Sequence, residues 1–370
     1  MLFYLTDSLI VDNHDQRFKD ICNAIYHLAV QSAEGNHVVI GDIDVISHYR
    51  NIFKNDYCVG SLFNKLYQNI TFEVVPSFIN YYVEVVLTNP SNRVDQDGRT
   101  VVQLEYSSLT PLEASNKTSL VCEFLSDAKF YGYILRWFIN KLGVNVHYAF
   151  HKVDGGGTNT HLNIINELDS NHITLSILDT DCRYPNAPID PNGTYGKCIG
   201  IGVGNVLCEI MPLYVHEVEN LIPMNFIDQV FTQWTNGDAE YAKKKKAFDY
   251  LKKEAESILP YFDYKKGIRY NEDYRNIQEL QTFAQKCYEQ NDEKMAVQPN
   301  FSQFVSTLNN KEYIYTELIG GTGTIKMIIS LIDSGNAPNP ILYQFQEENW
   351  NKIGQEMINW CIAREPEAIH

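Results

Sequence analysis

The sequence lacks the cysteine spacing and the long apolar runs that mark disulfide-rich, zinc-binding or membrane proteins. Only 8 of its 370 residues are cysteine, and they are scattered without a Cys-x-x-Cys pair or a zinc-ligand spacing. Cysteines distributed in this way indicate reduced, mostly buried thiols. No basic residues precede the apolar N-terminal stretch, and the longest weakly polar run, 199–208, is far short of the roughly 20 residues of a membrane helix. These absences predict a cytoplasmic protein without a membrane segment.

Basic residues are also few, but they are unevenly placed. The chain has 30 Lys and Arg against 46 Asp and Glu, a formal net charge of -16. That balance argues against nucleic acid as a partner, because phosphates are bound mainly by Lys and Arg. The segment 243–269, however, holds nine basic and four acidic residues, so it carries +5 while the remainder carries -21. This basic segment is either a solvated helix face or a contact with nucleic acid, the candidate residues being Lys243, Lys244, Lys245, Lys246, Lys252 and Lys253.

The chain is rich enough in apolar residues, at 44%, to bury a sizeable core, and its pattern changes twice along its length. Residues 1–118 mix helical and strand signals and predict an α+β domain of unknown role. Residues 119–225 alternate strands with single helices, which predicts a parallel sheet flanked by helices. Residues 226–370 are mainly helical. The predicted fold class is therefore α/β, with a Rossmann-like parallel sheet between an N-terminal α+β domain and a helical C-terminal region.

Apolar periodicity also predicts individual elements within these segments. The first helix after residue 119 should follow Ser126 as its N-cap, because serine is a favoured N-cap residue. The loop 182–204 contains several prolines and glycines and is long enough to be a functional insertion. The predicted strands are 71–75, 81–87, 100–106, 119–124, 144–150, 173–178 and 206–215, and the clearest predicted helices are 15–33 and 160–168.

Acidic residues follow three of the predicted strands at their carboxyl ends. In an open parallel sheet these ends converge on one crevice, so acids from different strands can meet. Carboxylates that lie so close repel one another unless they are protonated or neutralised by a hard divalent cation. The pattern predicts a Mg²⁺ or Mn²⁺ site, with capped helix starts as the alternative. The acids are Glu123 and Asp127 after the first strand, Asp179 and Asp181 after the third, and Glu217 and Glu219 after the fourth.

The order of these motifs resembles the Toprim domain, the metal-dependent catalytic module of topoisomerases, primases and the overcoming-lysogenization-defect nucleases. The resemblance covers about residues 118–225, and the matching order is a strand with Glu-x-x-x-Asp, a strand with Asp-x-Asp, and a strand with Glu-Val-Glu-Asn. Phe124 stands where the nuclease members usually have glycine, so the first turn departs from their pattern. The resemblance implies a Toprim-like fold and the hydrolysis of phosphodiester bonds in DNA or RNA.

The resemblance also implies a role for each acid and a set of partners. Related nucleases often add a lysine near the end of the domain, for which Lys326 is the candidate. Some family members partner an ABC-type ATPase, which implies regulation in trans and a role in prokaryotic anti-phage defence. A homo-oligomer is left open by the sequence. With one or two Mg²⁺ (or Mn²⁺) ions, the implied roles are metal ligand or general acid/base for Glu123, metal ligands for Asp179 and Asp181, and supporting ligands for Asp127 and Glu219.

Other motifs have simpler interpretations. Asp42 and Asp44 form a second Asp-x-Asp after an apolar run, which predicts a capping or turn pair. The triglycine at 155–157 lacks the lysine of a P-loop, so a turn is favoured over a phosphate site. His216, beside Glu217, is either a metal ligand or, as is commoner for one histidine near acids, a surface residue or a residue that supports a ligand. Two rival functions stay open: another Mg²⁺-dependent phosphoryl-transfer enzyme, and a non-catalytic Toprim-like subunit that binds nucleic acid or a protein.

Overall fold

The protein divides into two compact units in a computed structural model that describes residues 1–69, 74–109, 117–234, 239–319 and 323–366. Unit 1 comprises 1–177, 200–211 and 352–370, and unit 2 comprises 178–199 and 212–351. Both units are therefore assembled from separated stretches of chain. They cut across the three sequence segments proposed above, which stay predictions about domain organisation.

The first sheet of unit 1 is built from the N-terminal residues. Its strands are β1 (Leu2–Leu5), β2 (Val38–Gly41), β3 (Tyr81–Val86), β4 (Arg93–Val94) and β5 (Thr100–Glu105), with helices α1 (Phe18–Ala33), α2 (Ile43–Ile52) and α3 (Tyr57–Gln68). The strand order is β2-β1-β3-β5-β4, and only β4 pairs antiparallel. The apolar residues Phe3 of β1 and Ile21 and Ile25 of α1 are buried. This region is more parallel than the predicted α+β arrangement, because β1, which the sequence analysis did not identify, pairs with both β2 and β3.

The second sheet of unit 1 confirms the predicted parallel arrangement after residue 118. Its order is β10-β9-β6-β8, and β6 pairs in parallel with both β8 and β9. All residues of β6 and β9 are buried, as expected for strands in the middle of a covered sheet. The elements are β6 (Thr118–Cys122), α4 (Leu125–Leu142), β7 (His147–Tyr148), β8 (Phe150–Asp154), α5 (Thr160–Asp169), β9 (Thr174–Leu178) and β10 (Cys208–Pro212); α6 (Thr194–Cys198) precedes β10 in the chain and belongs to unit 2.

The boundaries of these elements correct two predictions. Helix α4 begins at Leu125 with Phe124 as its N-cap, so the prediction of Ser126 as the N-cap is wrong. The predicted strand 144–150 is two short strands, β7 and β8, and the second extends to Asp154. The predicted strand 71–75 lies mostly outside the described residues.

Unit 2 is mainly helical, as predicted for the C-terminal region. Its apolar core includes Phe226, Phe248 and Phe262, and the indole N–H of Trp350 donates a hydrogen bond of 3.0 Å to the carbonyl of Leu221. No helix in the described ranges is both long and apolar enough to cross a membrane. The elements are α7 (Met224–Trp234), α8 (Ala239–Leu251), α9 (Ala255–Ile258), β11 (Ile268–Arg269), α10 (Glu272–Asn276), α11 (Gln278–Glu289), α12 (Asp292–Val297), α13 (Phe301–Ser306), β12 (Tyr313–Tyr315), α14 (Gly323–Asp333) and the first part of α15 (Gln344–Cys361). From Lys352 onward, α15 and the following β13 (Ile362–Ala363) belong to unit 1.

Candidate functional site

The predicted acids are distributed over both units. Glu123 and Asp127 belong to unit 1, and the other four belong to unit 2, so each group is described within its own unit. In unit 2 the acids are joined by two residues that the sequence analysis did not single out as site residues. This buried cluster consists of His216, Glu217, Glu219, Asp263 and Lys265, with Asp179 and Asp181 beside it.

In unit 1, the backbone of Glu123 contacts the triglycine turn. The N–H of Gly157 donates to the carbonyl of Glu123 at 3.2 Å, and the N–H of Gly155 donates to the carbonyl of Cys122 at 2.7 Å. A Cβ on Gly155 would lie 2.5 Å from that Cys122 oxygen and would also clash with Thr160. Glycine is therefore required at 155 for close approach of the two strand ends, which accords with the predicted turn.

Asp127 caps helix α4. Its Oδ2 accepts a hydrogen bond of 3.0 Å from the backbone N–H of Phe124, and its side chain is buried. A carboxylate in the first turn also interacts favourably with the helix dipole. The capping role observed here is the alternative that the sequence left open for this residue, and a metal-binding role for Asp127 stays a prediction.

In unit 2, the turn that carries Asp179 and Asp181 is hydrogen-bonded to the segment that follows β10. The N–H of Asp181 donates to the carbonyl of His216 at 3.0 Å, and Thr180 Oγ1 donates to the carbonyl of Val215 at 3.1 Å. Asp181 has a φ of +55°, a left-handed conformation in which Asp is enriched among non-glycine residues. These bonds place the Asp-x-Asp motif next to the segment that contains Glu217 and Glu219.

A loop that follows α9 completes the cluster. The N–H of His216 donates to the carbonyl of Pro260 at 2.7 Å, and the side-chain amide of Asn220 donates to the carbonyls of Leu259 and Phe262 at 2.6 and 2.9 Å. Asn220 Oδ1 also accepts the N–H of Glu217 at 2.9 Å. The buried amide of Asn220 therefore holds the glutamate segment and the loop together.

Lys265 lies between the two glutamates. Its Nζ is 2.8 Å from Glu217 Oε2 and 3.2 Å from Glu219 Oε1, and both glutamate side chains are about 95% buried. Burial alone would lower the pKa of Lys265, but the carboxylates of Glu219 and Glu217 outweigh burial and raise it, with a further contribution from Asp179. Lys265 is therefore a fixed positive charge among these acids.

The pKa of Glu217 is strongly shifted from its ordinary value. Burial, and next the neighbouring carboxylate of Glu219, raise the pKa of Glu217 to about 7, although Lys265 and His216 act in the opposite direction. Two buried acids share one lysine, so the pair retains more negative charge than Lys265 neutralises. At neutral pH the Glu217 carboxyl exchanges readily between its protonated and ionised forms.

His216 faces an acceptor at each ring nitrogen. Nδ1 is 3.2 Å from the carbonyl of Cys182, and Nε2 is 3.4 Å from Asp263 Oδ2, which is an ion-pair separation without hydrogen-bond geometry. Burial would lower the pKa of His216, but Asp263 and then Glu217 raise it above its usual value. In return, the imidazole outweighs the effect of burial on Asp263 and lowers the pKa of that carboxyl.

Two carboxylate oxygens in the cluster are well suited to a cation. Glu217 Oε1 and Glu219 Oε2 are buried and accept no hydrogen bond from any residue that the structure describes. A buried acceptor without a donor is costly, and a divalent cation would satisfy it. Carboxylate oxygens are also the ligands that Mg²⁺ and Mn²⁺ prefer. The donor set of this cluster therefore fits the predicted metal chemistry.

Asp263 and Lys265 are the site residues that the sequence analysis missed. Both lie within the basic segment, where Lys265 was counted only as one of nine basic residues and Asp263 as one of four acidic residues. The sequence around these two residues indicates only a local turn. In the structure, Asp263 Oδ1 accepts hydrogen bonds from the N–H groups of Lys265 and Lys266 at 3.0 and 2.7 Å, which forms an Asx-turn ahead of Gly267. A turn predicted there would not have revealed its partners, which lie more than forty residues away.

The predicted nucleic-acid contacts are largely paired with acids of the protein itself. Lys244 pairs with Glu317 and Glu240, Lys245 and Lys252 with Asp228 and Asp249, Lys246 with Glu293, and Lys253 with Asp292. Lys243 is exposed. Lys244 is buried, so its pairs are not part of a solvated surface. The other pairs support the interpretation of a solvated helix face, although exposed ion pairs are weak enough to exchange for phosphate contacts.

Lys326, the predicted catalytic lysine, lies in α14 and is exposed to solvent. Within the part of the chain that the structure describes, no ion pair connects it to the acidic cluster. Lys265 instead supplies the lysine that contacts the glutamates. The role of Lys326 stays a prediction, and the geometry favours Lys265 for the same task.

In comparison with known proteins, no family model, no curated protein and no solved structure matches the chain.

Proposed function

We propose that the protein is a Toprim-like, Mg²⁺-dependent nuclease that hydrolyses phosphodiester bonds of DNA or RNA. The observation that carries the proposal is the buried carboxylate oxygen Glu219 Oε2, which accepts no hydrogen bond from any described residue. It lies in the same buried cluster that receives the charge of Asp179 and Asp181. Buried acids of this kind contribute little to the stability of the fold, whereas a bound divalent cation would neutralise them.

The order of the second sheet supports the same proposal. Strands β6 and β9 are parallel neighbours, so both run toward the same edge of the sheet. The chain continues directly from β6 into Glu123 and from β9 into Asp179. This is the strand-end placement of acids on which the Toprim resemblance rests, and the sheet itself is the parallel, helix-flanked kind that the resemblance requires.

The acids of the proposed site would bind the metal ion, and a lysine would stabilise the transition state. Bound Mg²⁺ or Mn²⁺ would acidify a water molecule and stabilise the oxygens of the phosphodiester. Asp179, Asp181 and Glu219 would hold the cation through their carboxylates. For Glu123, which belongs to unit 1, the role as metal ligand or general acid/base is the one that the resemblance implies. Lys265 would take the place predicted for Lys326, since its positive charge already lies among the acids and would favour the extra negative charge of the transition state.

The partners of this nuclease follow from the resemblance. We propose nucleic acid as substrate, a homo-oligomer, and an ABC-type ATPase partner that controls cleavage, in a cytoplasmic anti-phage role. A chain controlled in trans could be silent when isolated, so the assay should include the co-purified partner when one is present.

A nicking assay tests the proposal. Supercoiled plasmid and single-stranded RNA would be incubated with Mg²⁺ or Mn²⁺ and with the parent protein, Glu123→Ala or Asp179→Ala. Asp44→Ala is the matched control, because Asp44 belongs to the other Asp-x-Asp motif and is exposed. We expect cleavage by the parent and by the Asp44 variant and loss of cleavage in the other two. Equal cleavage by all four proteins would exclude this site assignment.

A non-catalytic binding subunit is the second candidate, and one observation favours it. Lys265 already neutralises part of the charge of Glu217 and Glu219, so the cluster can persist as a structural ion-pair network. In that case, nucleic acid would bind without being cut, and Asp179→Ala would leave the binding unchanged. A gel-shift comparison of the same variants separates this function from the nuclease.

A further inference from the structure

The cluster of His216, Glu217 and Asp263 offers a nitrogen ligand as well as oxygen ligands. One potential ligand atom from each of the three residues lies within 4.8 Å of the others. His216 and Glu217 are at least 96% buried. The imidazole Nε2 and Glu217 Oε1 have no hydrogen-bond partner among the described residues. This arrangement is separate from the Asp179 and Asp181 carboxylates that the nuclease proposal uses.

The second atoms of all three side chains are already anchored. His216 Nδ1 lies 3.2 Å from the Cys182 carbonyl, so its hydrogen can point there and leave the Nε2 lone pair directed inward. Lys265 binds Glu217 Oε2 at 2.8 Å, and the backbone N–H groups that follow Asp263 bind its Oδ1. Outer partners of this kind fix ligand orientation in metal centres.

The separation of one ligand pair also fits a small transition-metal ion. His216 Nε2 and Asp263 Oδ2 are 3.4 Å apart. Two ligands of a tetrahedral ion with bonds of about 2.1 Å are separated by roughly that distance. Imidazole with carboxylates suits Zn²⁺, whereas Mg²⁺ prefers an all-oxygen shell.

We propose that His216, Glu217 and Asp263 form a Zn²⁺ site, distinct from the Mg²⁺ or Mn²⁺ ligands of the proposed nuclease. The site does not depend on that activity. Three protein ligands leave the fourth position of a tetrahedral ion for water or for a substrate oxygen. The ion would replace the contact between His216 and Asp263 and would satisfy the buried oxygen of Glu217.

Calorimetric titration of the tag-free full-length protein with Zn²⁺ tests the site. We expect one equivalent to bind in the presence of excess Mg²⁺, and His216→Gln to weaken binding by about 100-fold or more, because loss of even an outer partner costs roughly 10- to 100-fold. His172→Gln is the matched control, since His172 pairs with Glu167 at 2.7 Å but belongs to no group of three potential metal ligands among the described residues. It should bind Zn²⁺ as the parent does.

Two further measurements guard against a variant that fails to fold. Glu217→Gln should also weaken Zn²⁺ binding, and Co²⁺ added to the parent should give the strong visible bands of a four- or five-coordinate ion. A folded parent that binds no Zn²⁺, unchanged binding by a folded His216→Gln, or a weak octahedral Co²⁺ spectrum would overturn the proposal. Zn²⁺ binding by a protein that never cleaves nucleic acid would instead count against the nuclease alone.

Discussion

Replacing Lys265 by methionine should destabilise unit 2, because this lysine is the cation shared by Glu217 and Glu219. Removing one partner of a buried ion pair typically costs about 3–5 kcal/mol, since the other partner is left buried with its charge. The lysine side chain retains 26% exposure, so the lower end applies, and we expect a loss of about 3 kcal/mol at neutral pH. This corresponds to roughly a 150-fold shift in the folding equilibrium.

Urea unfolding followed by circular dichroism measures this loss, and Lys266→Met is the matched control. Lys266 is the next residue, its side chain is 76% exposed, and its Nζ lies 3.8 Å from Asp263. An exposed pair of this kind contributes about 0–1 kcal/mol. Adding Glu217→Gln to the Lys265 variant should restore part of the loss, because one fewer buried charge is left unpaired. If Lys265→Met and Lys266→Met unfold at the same urea concentration, the assigned role of Lys265 is wrong.

Three other changes should have measurable effects. The pKa of Glu217 is raised from 4.5 to about 7. Its stabilisation of the fold is therefore present below pH 4.5 and is lost as the pH rises through 7. The unfolding free energy of wild type relative to Glu217→Gln should fall by about 3 kcal/mol between pH 4.5 and about pH 7.5. Gly155→Ala should lower the unfolding free energy by about 1–3 kcal/mol, because its Cβ would meet the strand end, whereas a Cβ at Gly323 meets nothing within 4 Å and Gly323→Ala should be nearly neutral. If the basic segment binds nucleic acid, the double variant Lys243→Ala, Lys246→Ala should reduce the slope of log affinity against log salt concentration by about 2. An unchanged slope would show that these two lysines do not contact nucleic acid.

The periodic elements of the fold were predictable from the sequence. The helical face of α1 and the apolar strands β6 and β9 are fixed by side chains that must be buried, and periodicity reports this directly. β1 was missed, since four apolar residues at the start of a chain have no periodicity of their own. The N-cap of α4 was misplaced because Asp127 caps the helix from within its first turn.

Only part of the candidate site could be predicted from the sequence. The acids after the strands could be found because a parallel sheet gives strand ends a common position. Asp263 and Lys265 could not be found in this way, since they meet Glu217 only through a loop whose position depends on hydrogen bonds from Asn220 and His216. The basic segment was ambiguous for a similar reason, because some of the acids that pair with its lysines, such as Asp292 and Glu293, come from another helix.

Metal binding by the Asp-x-Asp motif is the most direct test, because it needs neither a substrate nor a partner protein. Electron paramagnetic resonance can count the Mn²⁺ bound by the parent and by an Asp179→Asn, Asp181→Asn double variant, each with one equivalent of Zn²⁺ already added. The account predicts that the parent binds Mn²⁺ and that the folded double variant does not. Equal Mn²⁺ binding by the two proteins, or none by the folded parent, would contradict it.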